Sequence, residues 1–182
     1  MPVVSVIIPV KNGAATLSKC IDSIQRQKVQ GEIEIIIIDS DSCDESVSIA
    51  RSKRVEVISI PAETFNHGGT RNLGVKRASS DFIYFTVQDA ELASDDVLGK
   101  MLAYFSNSNV MGVCGSQAVP HALHMNPVDW YMPVSKPGSL MLCFTTPAQF
   151  DCLAPEKKVE VCSWDDVNAM YRRDALLKLP FE

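Results

Sequence analysis

Residues 35–44 of this chain, IIIIDSDSCD, constrain its fold more than any other segment. Four consecutive isoleucines lead directly into a polar cluster that contains Asp39, Asp41 and Asp44. A short apolar run bounded by polar residues is typical of a strand buried on both faces, as in a parallel sheet. Ligands of open α/β sheets bind outside the carboxyl ends of the strands, so we expect these carboxylates to face a binding crevice. A solvated turn and helix cap is the alternative interpretation.

A second strand tipped with acids follows at residues 81–91, DFIYFTVQDAE. Hard cations such as Mg²⁺ or Mn²⁺ prefer carboxylate and phosphate oxygens, and need few protein carboxylates when a diphosphate supplies the rest. Asp89 is the best candidate for such a metal ligand. Glu91 is equally well explained as an acid at a helix start. Two such strands together predict a nucleotide site with a metal.

The chain alternates strand and helix patterns, which predicts an α/β fold with a mostly parallel central sheet flanked by helices. Right-handed crossovers would gather the loops at residues 11–13, 39–44, 64–69 and 88–91 around one crevice. Strands are predicted at residues 3–8, 33–38, 55–60, 82–87 and 110–116, and helices at 14–27, 45–52, 70–78, 94–106 (capped by Ser94) and 173–179. The pattern weakens from Pro120, and strand character resumes within residues 159–171. Trp130 and Trp164 either stack on a sugar or belong to the core.

Residues 65–74, FNHGGTRNLG, combine paired glycines with His67 and Arg71 at a predicted helix start. Glycines allow close approach of a ligand to the backbone, and helix N-termini favour anions. The planar guanidinium of Arg71 is suited to phosphate. The alternative is a glycine-rich turn in which Arg71 pairs with a carboxylate and His67 has no ligand.

Composition excludes several classes of protein. The net charge of −5 argues against a non-specific nucleic-acid binder. The six cysteines show no CxxC-type spacing, which disfavours structural zinc. We find no signal-peptide pattern and no apolar run long enough to cross a bilayer, so the expected location is the cytoplasm, with contact at the inner face of the membrane as an option.

Three segments together resemble the family 2 glycosyltransferases, which have the GT-A nucleotide-sugar fold. They are SVIIPVKNGAATLSKCIDSI (residues 5–24), IIIIDSDSCDES (35–46) and TRNLGVKRASSDFIYFTVQDA (70–90), in the family's order and spacing. The FNHGGTRN and QDA variants look most like bacterial rhamnosyltransferases that build surface polysaccharides. The resemblance implies one GT-A domain, with a nucleotide-sugar-binding half at residues 1–118 and a partial acceptor-side half at 119–182.

The resemblance also implies roles for particular residues. The nucleotide-sugar, a UDP- or dTDP-sugar, would be held by Pro9, Asn12, Asp39, Asp41, His67, Arg71 and Gln88, with Asp39 at the edge of the base. Asp89 would hold the diphosphate-bound Mg²⁺ or Mn²⁺. Val87 replaces the first aspartate of the family's DxD motif, which weakens the expected metal site.

The implied reaction is metal-assisted inverting transfer of a sugar, rhamnose among the candidates, to a glycan or lipid-linked acceptor. The family's base usually follows a segment like PFE, so we expect it beyond Glu182 and expect poor turnover by this chain alone. Two alternatives remain open. A sugar-nucleotide pyrophosphorylase would need a richer phosphate loop than Lys11-Asn12-Gly13. The other alternative is a non-catalytic α/β nucleotide-binding or interaction module.

Overall fold

The computed structural model describes residues 1–117, 141–162 and 166–182. Within them the chain forms six strands and seven α-helices. The strands are β1 (Val4–Val10), β2 (Ile33–Asp39), β3 (Glu56–Ser59), β4 (Phe82–Phe85), β5 (Gly112–Cys114) and β6 (Ala169–Arg172). The helices are α1 (Leu17–Gln25), α2 (Ser46–Ser52), α3 (His67–Arg77), α4 (Val97–Tyr104), α5 (Pro147–Asp151), α6 (Pro155–Cys162) and α7 (Arg173–Lys178).

The strands form one sheet in the order β3-β2-β1-β4-β6-β5. The first four are parallel, as their apolar runs predict, whereas β6 is antiparallel to both β4 and β5. The α/β fold with a mostly parallel sheet is therefore confirmed. Because β6 lies between β4 and β5, the last part of the chain completes the same sheet that the first part builds.

Successive residues of β1 and β2 point to opposite faces of the sheet, and both faces are covered. One face carries Ile8 and Ile37 against Leu17 and Ile21 of α1 and Leu98 of α4. The other face carries its own cluster, formed by Ile7, Ile36, Ile38, Val75, Phe85 and Leu176. All of these side chains are at most 7% exposed, which explains why the strands read as unbroken apolar runs.

Helix α3 begins at His67, three residues before the predicted start. Asn66 caps the helix, since its side-chain oxygen accepts a hydrogen bond from the Gly69 N–H at 2.5 Å. An asparagine cap satisfies one of the free N–H groups at a helix start and so tolerates glycines in the first turn. His67 and the two glycines therefore belong to the helix rather than to the preceding loop.

Two other sequence predictions need correction. Helix α4 starts at Val97 rather than at residue 94, because the Ser94 hydroxyl donates to the Asp96 carboxylate and caps no helix N–H. Strand character was expected within residues 159–171, and among the described residues it is found only at the end of that range. Helix α6 occupies Pro155–Cys162, where a proline and Glu156 in the first turn favour a helix start, and strand β6 begins only at Ala169. None of the helices in the described part of the chain has the length and apolarity needed to cross a membrane.

Candidate functional site at the carboxyl edge of the sheet

The carboxyl ends of β1, β2 and β4 lie side by side. Val10 is paired with Asp39, and β4 joins the other side of β1 through the pair Ile7 and Phe85. Strand β6 runs in the opposite direction, so its first residue, Ala169, is the one that pairs with Phe85. The loops after the four parallel strands and the loop before β6 consequently lie at one edge, as the sequence predicted for the first four loops.

Asp39 is the last residue of β2 and is only 2% exposed. Its Oδ2 atom accepts a hydrogen bond from the Ser42 N–H at 3.2 Å, whereas its Oδ1 atom has no hydrogen-bond partner. Asp39 lines an open crevice of about 590 Å³ together with Asp41, Ser42, Val47, Ser59, Ile60, Pro61 and Glu63. A buried carboxylate oxygen without a donor is costly unless a ligand supplies one.

Hydrogen bonds between main chain and side chains join the loops after β1 and β2. The Asn12 N–H donates to the Ser42 hydroxyl at 2.8 Å, and the Asn12 side-chain oxygen accepts from the Cys43 N–H at 2.9 Å. Asn12 and Asp41 both adopt left-handed backbone conformations, with φ of 49° and 60°. The Asn12 side chain is exposed but already holds the neighbouring loop, so it shapes the crevice as well as bordering it.

Asp44 connects the segment before α1 to the start of α2 through hydrogen bonds. Its carboxylate accepts hydrogen bonds from the Ser46 hydroxyl and from the N–H groups of Ser46 and Ala14. The Ser46 hydroxyl, followed by the Ala14 N–H, lowers the pKa of Asp44. Because its oxygens are engaged in this way, Asp44 acts as a cap in the structure, which was one of the two interpretations of the acidic cluster.

Lys11 and Gln88 connect three loops, and the sequence pattern did not single out this role for Lys11. The Gln88 side-chain oxygen accepts from the Lys11 N–H at 2.8 Å, and its amide nitrogen donates to the Lys11 carbonyl at 3.1 Å. The Lys11 ammonium donates to the main-chain carbonyls of Ser40, at 2.7 Å, and Asp41. The sequence feature that could have indicated this role is a lysine directly after a buried strand.

Asp89 is exposed in the tight turn from Val87 to Ala90, where the Ala90 N–H donates to the Val87 carbonyl at 3.2 Å. Burial, followed by the negative charges of Asp89 and Glu91, raises the pKa of the Cys20 thiol beneath this turn to about 12. The Asp89 turn therefore carries a local negative potential. Among the described residues no group of three or more His, Cys, Asp or Glu side chains could hold a metal ion by itself.

Arg71 is buried on the α3 face of the sheet, at the same edge. Its Nε atom lies 3.8 Å from Asp166 Oδ2, its guanidinium carbon lies 6.0 Å from the centre of the Phe85 ring, and it donates to the His67 carbonyl at 3.1 Å. Asp166 also accepts from the Tyr171 hydroxyl at 3.0 Å. Arg71 thus has the carboxylate partner that the alternative interpretation required, while its role at the donor stays a prediction.

His67 and Pro9, two further predicted donor contacts, lie near this edge without a polar side-chain contact of their own. His67 opens α3, is exposed, and meets the Phe65 ring edge-on with centroids 5.1 Å apart. Pro9 is half-buried in β1 opposite Ile38. Neither arrangement tests the predicted contact. Trp130, Trp164 and Asp165 lie outside the described residues.

Asn168 and Asn72 are functional candidates that the sequence analysis did not assign. Asn168 accepts from the Tyr84 hydroxyl at 2.9 Å and donates to the Ser116 carbonyl at 3.0 Å, which fixes the loop before β6. Asn72 makes two hydrogen bonds to the main chain of Phe181, at 2.8 and 3.1 Å. These bonds press the last residues against α3 beside Gly68, where an added Cβ would lie 2.4 Å from the Glu182 main-chain oxygen.

Buried polar atoms without hydrogen-bond partners cluster at this edge. Across the described ranges there are four such side-chain atoms: Asp39 Oδ1, Ser40 Oγ, Thr70 Oγ1 and Arg71 Nε. The first two end β2 and the last two lie in the first turns of α3, whose N-terminus points to the carboxyl edge. Buried polar groups in proteins are nearly always satisfied, so these atoms remain available to water or to a ligand, although Arg71 Nε also lies 3.8 Å from the Asp166 carboxylate.

Comparison with known proteins agrees with this architecture. Over 120 residues the chain is 39% identical to the O-antigen chain rhamnosyltransferase RfbN of Salmonella typhimurium, a match that covers 65% of this chain and 38% of that protein. The chain thus matches less than half the length of this curated relative. The fold is similar to that of a mannosyltransferase from Pyrobaculum calidifontis in complex with GDP-Man and Mn²⁺, with a TM-score of 0.65, 17% identity, and coverage of 98% of this chain and 46% of that one.

The fold is also similar to that of glucosyl-3-phosphoglycerate synthase from Mycobacterium tuberculosis in complex with UDP. The TM-score is 0.66 and the identity 19%, and the match covers 99% of this chain and 60% of that one. At these identities the structural matches establish the GT-A fold alone. The family model named Glycosyl transferase family 2 matches residues 5–179, nearly the whole chain. The chain belongs to glycosyl transferase family 2.

Proposed function

We propose that this chain binds the nucleotide-diphosphate-sugar donor of a glycosyltransferase that elongates a surface glycan. The observation that carries the proposal is Asp39, a buried carboxylate with one unpartnered oxygen on the wall of an open crevice at the carboxyl edge. The predicted donor is a UDP- or dTDP-sugar, and the predicted acceptor is a glycan or a lipid-linked glycan.

A uracil or thymine base fits the chemistry of this crevice. Both bases carry an imide N–H, which is the donor that the free Asp39 oxygen lacks. Val47, Ile60 and Pro61 supply apolar walls for the faces of a base, while Ser42 and Ser59 offer hydroxyls. A hydrogen bond to a charged, buried acceptor contributes about 1.5–3 kcal/mol, enough to favour bases that carry this N–H.

A divalent metal fits this site only if the donor supplies part of its coordination. The described residues hold no metal-binding cluster of their own, but the exposed carboxylate of Asp89 provides the single protein ligand that a Mg²⁺– or Mn²⁺–diphosphate complex commonly needs. Such a metal would neutralise the charge that develops on the leaving diphosphate. Val87, in place of the first acid of a DxD motif, leaves Asp89 as the principal ligand.

The relatives narrow the substrate class. The similarity to an O-antigen chain rhamnosyltransferase supports a deoxyhexose donor and a growing polysaccharide as acceptor. In the inverting mechanism that we infer, a base takes the proton of the acceptor hydroxyl as the oxygen attacks the anomeric carbon. Which residue acts as this base stays a prediction from the family resemblance.

Isothermal titration calorimetry tests the proposal directly. We expect UDP or dTDP to bind, to bind more tightly with Mn²⁺, and to lose about tenfold or more in affinity in Asp39→Ala, since one charged hydrogen bond disappears. Glu63→Ala is a matched control, because it removes from the same crevice a carboxylate that is exposed rather than buried. A flat titration with both nucleotides would contradict the proposal and favour a non-catalytic α/β module.

A further inference from the structure

Gln88 occupies a position that lets its side chain replace a missing segment of strand. β1 continues to Val10, whereas β4 ends at Phe85, opposite Ile7. The end of β1 therefore has no strand neighbour on the β4 side. Gln88 continues the pairing just past this end, since its side-chain amide pairs with both the N–H and the carbonyl of Lys11, the residue after β1, at 2.8 and 3.1 Å. Two hydrogen bonds of this kind reproduce the pairing that a neighbouring strand would make.

The local sequence is adapted to this contact. A Cβ atom on Gly13 would lie 2.7 Å from the Gln88 side-chain oxygen and 2.8 Å from its carbon, closer than real Cβ atoms approach. The glycine therefore keeps open the space that the glutamine occupies. The amide of Gln88 is turned toward Lys11, and both of its polar atoms form hydrogen bonds there. These bonds do not test the sequence-based prediction that Gln88 binds the donor directly.

The contact links the two turns on which donor binding is proposed to depend. Lys11 reaches from Gln88 on one side to the carbonyls of Ser40 and Asp41 on the other. Ser40 follows Asp39 directly, and Gln88 directly precedes Asp89. The Asp39 turn and the Asp89 turn are therefore connected through Lys11 by four hydrogen bonds, two from its side-chain ammonium to Ser40 and Asp41 and two between its backbone and the Gln88 amide.

We propose that Gln88 is a positioning residue that couples the nucleotide turn to the metal-binding turn, so that nucleotide and divalent metal bind cooperatively. The inference rests on the proposed function. It assigns to Gln88 no contact with the substrate, only the alignment of Lys11 with Asp89. Coupling between two sites is reciprocal, and values of about 5–150-fold are typical when one element connects them.

The test is a coupling ratio measured by calorimetry on the whole chain. The Kd for UDP, or for dTDP if it binds better, is measured without metal and with saturating Mn²⁺, and the ratio of the two Kd values is compared among variants. Part of this ratio comes from direct coordination of Mn²⁺ by the diphosphate and persists in every variant. We expect about tenfold for the unaltered protein and a ratio about threefold lower for Gln88→Met, which keeps the length of the side chain and removes both hydrogen bonds. Gly13→Ala, which displaces the Gln88 side chain, should lower the ratio in the same direction.

Gln25→Met is the matched control, since Gln25 also bonds to a main-chain carbonyl, that of Lys53 at 3.1 Å, but lies away from the crevice. It should leave the ratio unchanged. A variant that is merely less folded weakens both Kd values by the same factor and does not move the ratio. The melting temperature of each variant, recorded alongside, shows how much of the protein is folded.

The outcomes separate the two proposals. If UDP and dTDP both fail to bind the unaltered protein, the proposed function is wrong. If nucleotide binds but Mn²⁺ leaves its affinity unchanged, or if Gln88→Met retains the full ratio, the coupling role of Gln88 is wrong while the proposed function stands. An equal loss of affinity with and without Mn²⁺ in a folded Gln88→Met protein would also overturn the coupling role and indicate a direct contact with the donor.

Discussion

A crevice at the carboxyl edge of the sheet and a second one at the amino edge are both lined by carboxylates, other polar residues and apolar residues. The first has a volume of about 590 Å³ and includes Asp39 and Glu63. The second has a volume of about 400 Å³ and includes Gln25, Glu34 and Glu56. Size and composition would not by themselves tell a reader which crevice binds a ligand, because both are open and polar.

The two regions differ in how their polar groups are satisfied. At the amino edge, Glu34 accepts hydrogen bonds from the Ser5 hydroxyl and from the N–H and hydroxyl of Ser79, the latter two at 2.9 and 2.8 Å. Glu56 pairs with Arg77 at 2.6 Å. At the carboxyl edge, Asp39 retains an unpartnered oxygen. The comparison teaches that unsatisfied buried atoms, rather than acids as such, distinguish the edge at which we propose that the donor binds.

The largest expected effect is a difference in stability between substitutions of Glu34 and of Asp39. Glu34→Ala should lower the free energy of unfolding by about 2 kcal/mol, because it leaves the buried Ser5 hydroxyl and the Ser79 N–H without their acceptor. Asp39→Ala, which removes one satisfied and one unsatisfied oxygen, should change stability by less than about 0.5 kcal/mol. Urea denaturation of the two variants provides both values.

Nucleotide affinity is expected to change in the opposite order, with the larger loss in Asp39→Ala and the smaller one in Glu34→Ala. Glu34→Ala should keep its affinity for UDP or dTDP within about twofold, corrected for the folded fraction. The comparison fails if Asp39→Ala proves the more destabilising of the two, or if a folded Glu34→Ala protein loses as much nucleotide affinity as Asp39→Ala does.

A medium effect concerns hydroxyls at the two edges. Thr70→Val replaces an unpartnered hydroxyl with a methyl group of similar size, so the free energy of unfolding should stay constant or rise by up to about 1 kcal/mol. Ser5→Ala is the matched variant at the amino edge, and it should destabilise, since the Ser5 hydroxyl donates to Glu34 and accepts from the Ser80 N–H. Thermal unfolding at one pH compares them. Destabilisation by Thr70→Val equal to that by Ser5→Ala would remove the distinction between the edges.

The smallest effect is a pH dependence. Burial would raise the pKa of Glu34, but the hydrogen bonds from Ser5 and Ser79 outweigh it and lower the pKa below its ordinary value of 4.5. A carboxylate with a lowered pKa in the folded state contributes stability above pH 4.5, and this contribution disappears as the pH falls further through the folded-state pKa.

Urea titrations at pH 6 and at successively lower pH values below 4.5 should therefore show a steeper loss of stability in the unaltered protein than in Glu34→Gln. The difference between the two slopes should amount to less than about 1 kcal/mol in total, because the group is largely solvated. Parallel pH profiles of the two proteins would show that Glu34 is not held in its charged form by these contacts.

The sequence by itself determined the framework of the fold. The isoleucine run of β2 and the apolar residues of β1 and β4 specified parallel strands, because residues covered on both faces can only be uniformly apolar. The same rule placed Asp39 and Asp89 at one edge, since the ends of parallel strands coincide there. The antiparallel direction of β6 and the helix α6 were not predicted, because the alternation of Val159 and Val161 with charged residues is typical of a strand, although this segment forms a helix.

Only the tertiary structure decided which polar side chains have hydrogen-bond partners and which have none. The partner of Gln88 is Lys11, 77 residues earlier, and the partner of the Asn12 N–H is Ser42, 30 residues later. Arg71 meets Asp166 across a still longer separation along the chain. Secondary structure follows from the spacing of neighbouring residues, but a hydrogen bond between loops depends on angstrom-level placement that no local pattern encodes. The free oxygen of Asp39 became recognisable for this reason only when its neighbours in space were known.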